Sequence, residues 1–212
     1  MKNLLLIILL VGGIYTTGTS QVVIGVKTSI GATLAEDEST YSGEVFDYIN
    51  HEVTYKGSNI VKSYGLFAQQ KFGPLYGRAE IAYTHFTQEY KVRSFVQLGQ
   101  IPRQEFEDFG FIDFQVMAGL TKDNFRFGVG PVAHILVRHH NDLDFISGYN
   151  ENLRGITYGF TGAIGLDAGM FHFDVRYENN FRTVGDHINY GTRNARFKNK
   201  PHVVNLTVGI SF

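Results

Sequence analysis

His202-Val203-Val204-Asn205-Leu206-Thr207-Val208-Gly209-Ile210-Ser211-Phe212 ends the chain. Val204, Leu206, Val208, Ile210 and Phe212 are apolar, and Asn205, Thr207, Gly209 and Ser211 between them are small or polar. A period of two puts these sets on opposite faces of one β-strand. Such a strand needs apolar surroundings on one side and a polar or small-residue environment on the other.

The same period recurs upstream. Val22, Ile24, Val26, Ile30, Ala32 and Leu34 alternate with Gly25, Lys27, Ser29, Gly31 and Thr33 in a first strand. The second runs from about Ile60 to Phe72, and Gly73-Pro74 makes a tight turn into a third, Leu75 to about Tyr90. Across that turn the apolar parity switches from even to odd, as a two-residue hairpin loop requires. Phe72 is then expected opposite Leu75, and Gln69 opposite Arg78. The fourth strand sets Ile112, Phe114, Val116, Ala118 and Leu120 against Phe111, Asp113, Gln115, Met117 and Gly119. After the turn Thr121-Lys122-Asp123-Asn124, the fifth sets Phe125, Phe127, Val129, Ala133, Ile135 and Val137 against Arg126, Gly128, Gly130, Val132 and His134. The sixth follows Ile156, Tyr158, Phe160, Ile164 and Leu166; Ala168-Gly169 turns the chain into a seventh with Phe171, Phe173, Val175 and Tyr177. The strand ending at Phe212 is the eighth.

Long polar segments, about 36–59, 91–107, 139–155 and 179–201, alternate with the three short turns. Both termini fall on the short-turn side. The expected fold is all-β: an eight-stranded antiparallel up-and-down transmembrane β-barrel with short periplasmic turns and long extracellular loops. Phe72, Phe125, Phe171 and Phe212 gather near the turns, and Tyr64, Tyr83, Tyr158 and Tyr177 nearer the loops, as two interfacial girdles would.

Alternation alone leaves the direction of the apolar face open. A soluble lipocalin-like barrel would turn it inward around a ligand. Here the other face is rich in glycine, and in the expected registers Gly119 opposes Arg126, Gly128 Met117, Gly165 His172 and Gly159 Glu178. Small against large fills a narrow interior and has no use on a solvated exterior. The apolar face is therefore read as outward, around a plugged lumen without an open pore.

Composition agrees. The chain has 212 residues, suiting one domain, with Gly 24, Phe 18 and Tyr 12. Cys 0 excludes disulfides, thiolate metal sites and a lipoprotein anchor, and a net charge of -1 argues against nucleic acid as a partner. Met1 to Ser20 reads as a signal peptide: Lys2, a short apolar run from Leu4 to Val11, then Gly18-Thr19-Ser20 before a cut ahead of Gln21. That run is shorter than the ~20 apolar residues of a spanning helix. The barrel domain is then residues 21–212, exported to the outer membrane.

A terminal strand ending on Phe resembles the closing strand of bacterial outer-membrane barrels, where the last aromatic helps the barrel-assembly machinery recognise the chain. The resemblance goes further. Tyr64-Gly-Leu-Phe-Ala-Gln-Gln-Lys-Phe-Gly-Pro-Leu-Tyr, Arg78-Ala-Glu-Ile-Ala-Tyr, Phe127-Gly-Val-Gly-Pro-Val, Gly162-Ala-Ile-Gly-Leu-Asp-Ala-Gly and Phe173-Asp-Val-Arg-Tyr look like the PorT-like outer-membrane β-barrel family. The likeness covers nearly all of residues 21–212. It implies an integral outer-membrane protein of Gram-negative bacteria, without cofactor, and secretion-system proteins as partners of some members. The family often follows Arg-Tyr with Gly-Leu, whereas Arg176-Tyr177 here precedes Glu178-Asn179-Asn180-Phe181.

Arg78, Glu80, Asp113, Arg126, Asp167, Asp174, Arg176 and Glu178 share the inward parity and come in both signs. They are read as an ion-pair network plugging the barrel rather than an ion path, because buried charges must be paired. His139-His140 with Asp142 and Asp144 could attract a metal, but adjacent loop histidines usually bind none, and no metal site is expected. Glu36, Asp37, Glu38, Glu44, Asp47 and Glu52 lack the ligand spacing of a calcium loop. Arg182, Arg193, Arg196, Lys198 and Lys200 form a basic last loop that could contact lipopolysaccharide phosphates. Outward-facing His85 could reach Thr87, but no nucleophile motif accompanies it. No catalytic residue is therefore assigned. The expected role is a non-enzymatic component of envelope assembly or secretion. The alternatives are a surface barrel binding through its loops and a lipid A-modifying enzyme.

Overall fold

A computed structural model describes residues 22–34, 40–45, 49–58, 60–94, 103–142, 149–181, 185–190, 193–196 and 202–212. In chain order the strands are β1 (Val22–Leu34), β2 (Thr40–Val45), β3 (Ile49–Ser58), β4 (Val61–Phe72), β5 (Leu75–Ser94), β6 (Arg103–Lys122), β7 (Phe125–Asn141), β8 (Tyr149–Leu153), β9 (Ile156–Ala168), β10 (Phe171–Asn180), β11 (Gly185–Tyr190), β12 (Arg193–Arg196) and β13 (His202–Ser211). β1, β4, β5, β6, β7, β9, β10 and β13 each pair antiparallel with the next, and β13 pairs with β1. The result is a closed eight-stranded up-and-down barrel with no free edge around its wall.

The wall is sorted as the alternation requires. Val116, Leu120, Ile164 and Leu206 point outward and are 56–59% exposed, whereas Phe67, Met117, Arg78 and Arg126 point inward and are at most 2% exposed. A contiguous apolar exterior around a polar interior suits hydrocarbon, not water. A lipocalin-like arrangement would be the reverse. The barrel is of the outer-membrane type, and Phe125, Phe171 and Phe212 lie outward near the turns, with Tyr64, Tyr158 and Tyr177 outward toward the loops. Tyr83 joins the upper group, its ring 5.4 Å from that of Tyr64, and Phe72 sits half-buried beside the first turn.

All three short connections are two-residue hairpins: Gly73-Pro74, Asp123-Asn124 and Gly169-Met170. In each the first turn residue has positive φ, +61° at Gly73, +53° at Asp123 and +64° at Gly169. That geometry matches the twist of the flanking strands. Nothing lies within 4 Å of a Cβ placed on Gly169, so only backbone strain opposes a side chain there. Gly169→Ala is expected to cost about 1 kcal/mol in urea titrations of the folded barrel, read by circular dichroism.

Phe72 opposes Leu75 and Gln69 opposes Arg78, as expected. The next two hairpins correct the expected registers by two residues. Gly119 opposes Gly128, Thr121 opposes Arg126, Gly165 opposes Asp174, and Gly159 opposes Asn180. The cause is local. Lys122 pairs with Phe125 and Ala168 with Phe171, so the turns are shorter, or sit one residue later, than their sequences suggest. A shift of two preserves every inward and outward assignment.

The segments expected as loops are partly strand. β5 and β6 are 20 residues each and stay paired up to Val92 and Arg103, beyond the last β6–β7 pair at Glu107 and Asn141. β3 pairs along this extension of β5, and β2 pairs with β3. Once β5 outruns β4, its edge needs another partner, and the 40–58 hairpin supplies it. β8, β11 and β12 form a separate three-stranded sheet at the same end. Residues 1–20, Glu36, Asp37, Glu38, Asp47, Asp144, Arg182, Lys198 and Lys200 lie outside the described residues.

Candidate functional site

The interior is the candidate site, and it is built in layers. β1, β4, β5, β7, β9 and β10 project charged side chains into the turn-side half, those of β5 and β10 at positions two residues apart. Lys71 meets Asp167 at 2.9 Å, and Asp167 accepts from His172 at 2.8 Å and lies 2.7 Å from Arg126. Arg126 continues to Gln69 at 3.0 Å and Asp174 at 2.9 Å. Asp174 also receives Arg176 at 2.8 Å and Arg78 at 3.4 Å. Arg176 clamps Glu80 through two bonds of 2.7 and 2.8 Å and donates to Gln115 at 3.1 Å. Lys27 and Arg78 complete the set around Glu80. The pairs run unbroken across the lumen, which is how buried charges of both signs avoid the cost of desolvation.

Glycines make room for this layer. A Cβ on Gly165 would lie 2.2 Å from Asp174 and 2.9 Å from the Arg126 guanidinium; one on Gly128 would meet the Tyr76 hydroxyl at 2.0 Å. Phe67, seated against Gly25 and Gly209, carries the Arg78 guanidinium 4.0 Å above its ring and meets His172 edge-on at 5.1 Å. The small-against-large logic therefore holds with different partners from those the expected registers named.

Nearer the loops, His134 stands between Asp113 at 2.7 Å and Glu178 at 3.2 Å, and Thr84 donates to Asp113. Above this, Phe86, Phe109 and Phe111 stack with ring centroids 5.3–6.1 Å apart and pack with Val61 and Val203. Between the ion-pair layer and this aromatic cluster lies a chamber of about 890 Å³, counting the space open to solvent. Lys27, Glu80 and Arg176 form its floor, and Ser29, Thr157, Thr161 and Thr207 line its walls. Three buried polar atoms of chamber-lining residues, Thr161 Oγ1, Gln115 Nε2 and Arg176 Nε, have no hydrogen-bond partner among the described residues. Ordered water would satisfy them.

All eight residues expected in the network point inward. Arg78, Glu80, Arg126, Asp167, Asp174 and Arg176 form the transverse layer; Asp113 and Glu178 belong to the separate His134 group. Lys27, Lys71, His134 and His172 were not in the expected set, although all four carry the inward parity on their strands. Their alternation was the signal that could have found them.

The other candidates are separated. His139 points inward, 2.7 Å from Glu107 and against the Phe109 ring, whereas His140 lies 3.3 Å from Asp142 on the outer side. Opposite faces of a strand cannot hold one metal ion, and the described residues contain no group of three or more His, Cys, Asp or Glu that could. Thr87 donates to Asp108 at 2.6 Å, and His85 lies 4.0 Å from the same carboxylate. Asp108 thus takes the hydroxyl that His85 would need. Arg193 and Arg196 belong to β12.

No family model and no curated protein matches the chain in sequence. Among solved structures, the translocator domain of the autotransporter NalP from Neisseria meningitidis is similar over 100% of this chain and 95% of that one, at 11% identity and a TM-score of 0.38.

Proposed function

We propose that this barrel is an exported, non-enzymatic outer-membrane component of the PorT-like kind, serving envelope assembly or protein secretion through its outer wall and loop-side sheet. The supporting observation is the ion-pair layer. Arg126, Asp174, Arg176 and Glu80 cross the lumen in one connected set, so the protein's own side chains close the turn-side half of the interior below the chamber. A barrel closed across its lumen in this way offers partners no passage, which leaves its outer wall and its loop-side end. The proposed partners are outer-membrane lipid, the barrel-assembly machinery through β13, and secretion proteins.

The test is a native pull-down from outer membranes in mild detergent, with a tag in a long loop. A stoichiometric set of envelope or secretion proteins is expected. A barrel that leaves the membrane alone would remove the accessory role. Release without detergent would overturn the membrane placement itself.

A second reading, ligand binding at the cell surface, draws on the extension of β5 and β6 above the wall and on the β2–β3 hairpin added to it. Removing residues 40–58 would abolish surface binding in that case while leaving the barrel folded.

A further inference from the structure

We infer that the loop-side rim of β4–β7 is a binding site for the phosphorylated sugar headgroup of a lipopolysaccharide-type lipid, built by Lys62, Tyr83, His85 and Arg138 around Gly110. The inference rests on the outer-membrane placement proposed above. Lys62 opposes His85, His85 opposes Gly110, and Gly110 opposes Arg138, so the four positions form one row across four adjacent strands. Lys62 and Arg138 are exposed, and His85 is partly so.

Two local devices shape the row. Gly110 has no side chain, and the Tyr83 hydroxyl fills the space over it, 2.6 Å from where a Cβ would be; Arg138 Cβ lies 3.0 Å from that point. The second device is the register shift in β6–β7, where Phe111 pairs with Leu136 but Gly110 with Arg138. The extra residue, Val137, reverses the parity of β7, so that Arg138 faces out and His139 faces in. Bulges commonly re-aim a side chain in this way. Without it, Arg138 would point into the aromatic cluster.

The row lies at headgroup height. His85 is ten residue steps above Leu75 at the turn. At about 3.4 Å per step and a strand tilt of about 40°, that is a rise of about 26 Å, and the apolar band of such barrels is about 25 Å tall. Two residues lower, Tyr64 and Tyr83 sit side by side as interfacial aromatics, below the cations.

The charges call for an anion. Every lumen cation is paired, but Lys62 and Arg138 have no ion-pair partner among the described residues. The nearby carboxylates are Asp108, 4.0 Å from His85 and already bonded by Thr87, and Asp142, beside His140. From Lys62 to Arg138 the row spans three interstrand spacings, about 14 Å, too wide for one phosphate and suited to a headgroup bearing two. Arg and Lys at that level would bind the phosphates, and the Tyr83 hydroxyl would donate to them.

The test uses the full-length barrel, purified in detergent and exposed to three lipids: bis-phosphorylated lipid A, its dephosphorylated form, and phosphatidylglycerol. Retained lipid is counted by native mass spectrometry for the native protein and for a Lys62→Gln/Arg138→Gln double variant. Both substituted side chains are exposed, so folding is expected to be unchanged, as circular dichroism will check. The native barrel is expected to retain bis-phosphorylated lipid A about thirty-fold better than the double variant does. It should also prefer that lipid to the other two. Equal retention by the variant, no preference over phosphatidylglycerol, or indifference to the phosphates would each overturn the site. Detergent-dependent extraction separates the two levels: a barrel that needs detergent but shows no preference loses only this inference.

Discussion

Glu80→Met is expected to destabilise the barrel by about 3–5 kcal/mol, the loss seen when one member of a buried charge network is removed. Glu80 is the acceptor shared by Lys27, Arg78 and Arg176. The transverse layer sets four buried cations (Lys27, Arg78, Arg126, Arg176) against three carboxylates (Glu80, Asp167, Asp174). Removing Glu80 leaves four against two, and Lys27 has no other carboxylate partner among the described residues. Adding Lys27→Met restores the balance to three against two and should recover part of the loss. The chain has Trp 0, so folded fraction is best followed in urea by circular dichroism and by the mobility of unheated samples on SDS gels. A loss below about 1 kcal/mol, or no recovery in the double variant, would mean that these pairs are worth no more than exposed ones.

Gly130→Ala should be nearly as damaging for a different reason. A Cβ there would lie 1.8 Å from the Val116 carbonyl oxygen and 2.8 Å from Met117 Cα, both backbone atoms of the neighbouring strand. Neither can rotate aside as a side chain can, so β6 and β7 would have to separate. We expect a cost of about 3 kcal/mol, at the upper end of overpacking effects. Gly162→Ala is the control. Nothing lies within 4 Å of its Cβ, and a strand alanine in open space should be neutral or slightly stabilising. If both variants unfold at the same urea concentration, β6 and β7 can part at that point without cost.

The wall was legible because its two environments differ and period-two alternation reports them strand by strand. From Val22 to Phe212 the inward and outward assignments follow the residue types. Registers were less legible, since shifting Gly119 from Arg126 to Gly128 moves no side chain between faces. Only the hairpin turns decide such shifts, and Asp123-Asn124 within Thr121–Asn124 does not announce its own limits. The bulge at Val137 has no mark in the pattern: Ile135 and Val137 continue the alternation through it. The strands above the wall escaped for a related reason. β2, β3, β8, β11 and β12 carry no sustained apolar alternation, and pairing to a neighbouring backbone edge, as β3 makes along β5, leaves no period in a sequence. Lys27, His134 and His172 had the right parity, but parity alone does not say which inward residues touch.

The seam between β1 and β13 ties the order of synthesis to the moment of membrane entry. Ser29 and Thr207, hydrogen-bonded at 2.8 Å, are 178 residues apart. Until the last strand arrives, the first seven form an open ribbon with two unpaired edges, which hydrocarbon does not tolerate. No shorter piece of the chain is a smaller version of the same object. Closure must therefore be a late, slow event of high contact order. Truncation by even one strand would yield a molecule with nowhere stable to reside, neither dissolved in water nor settled in lipid.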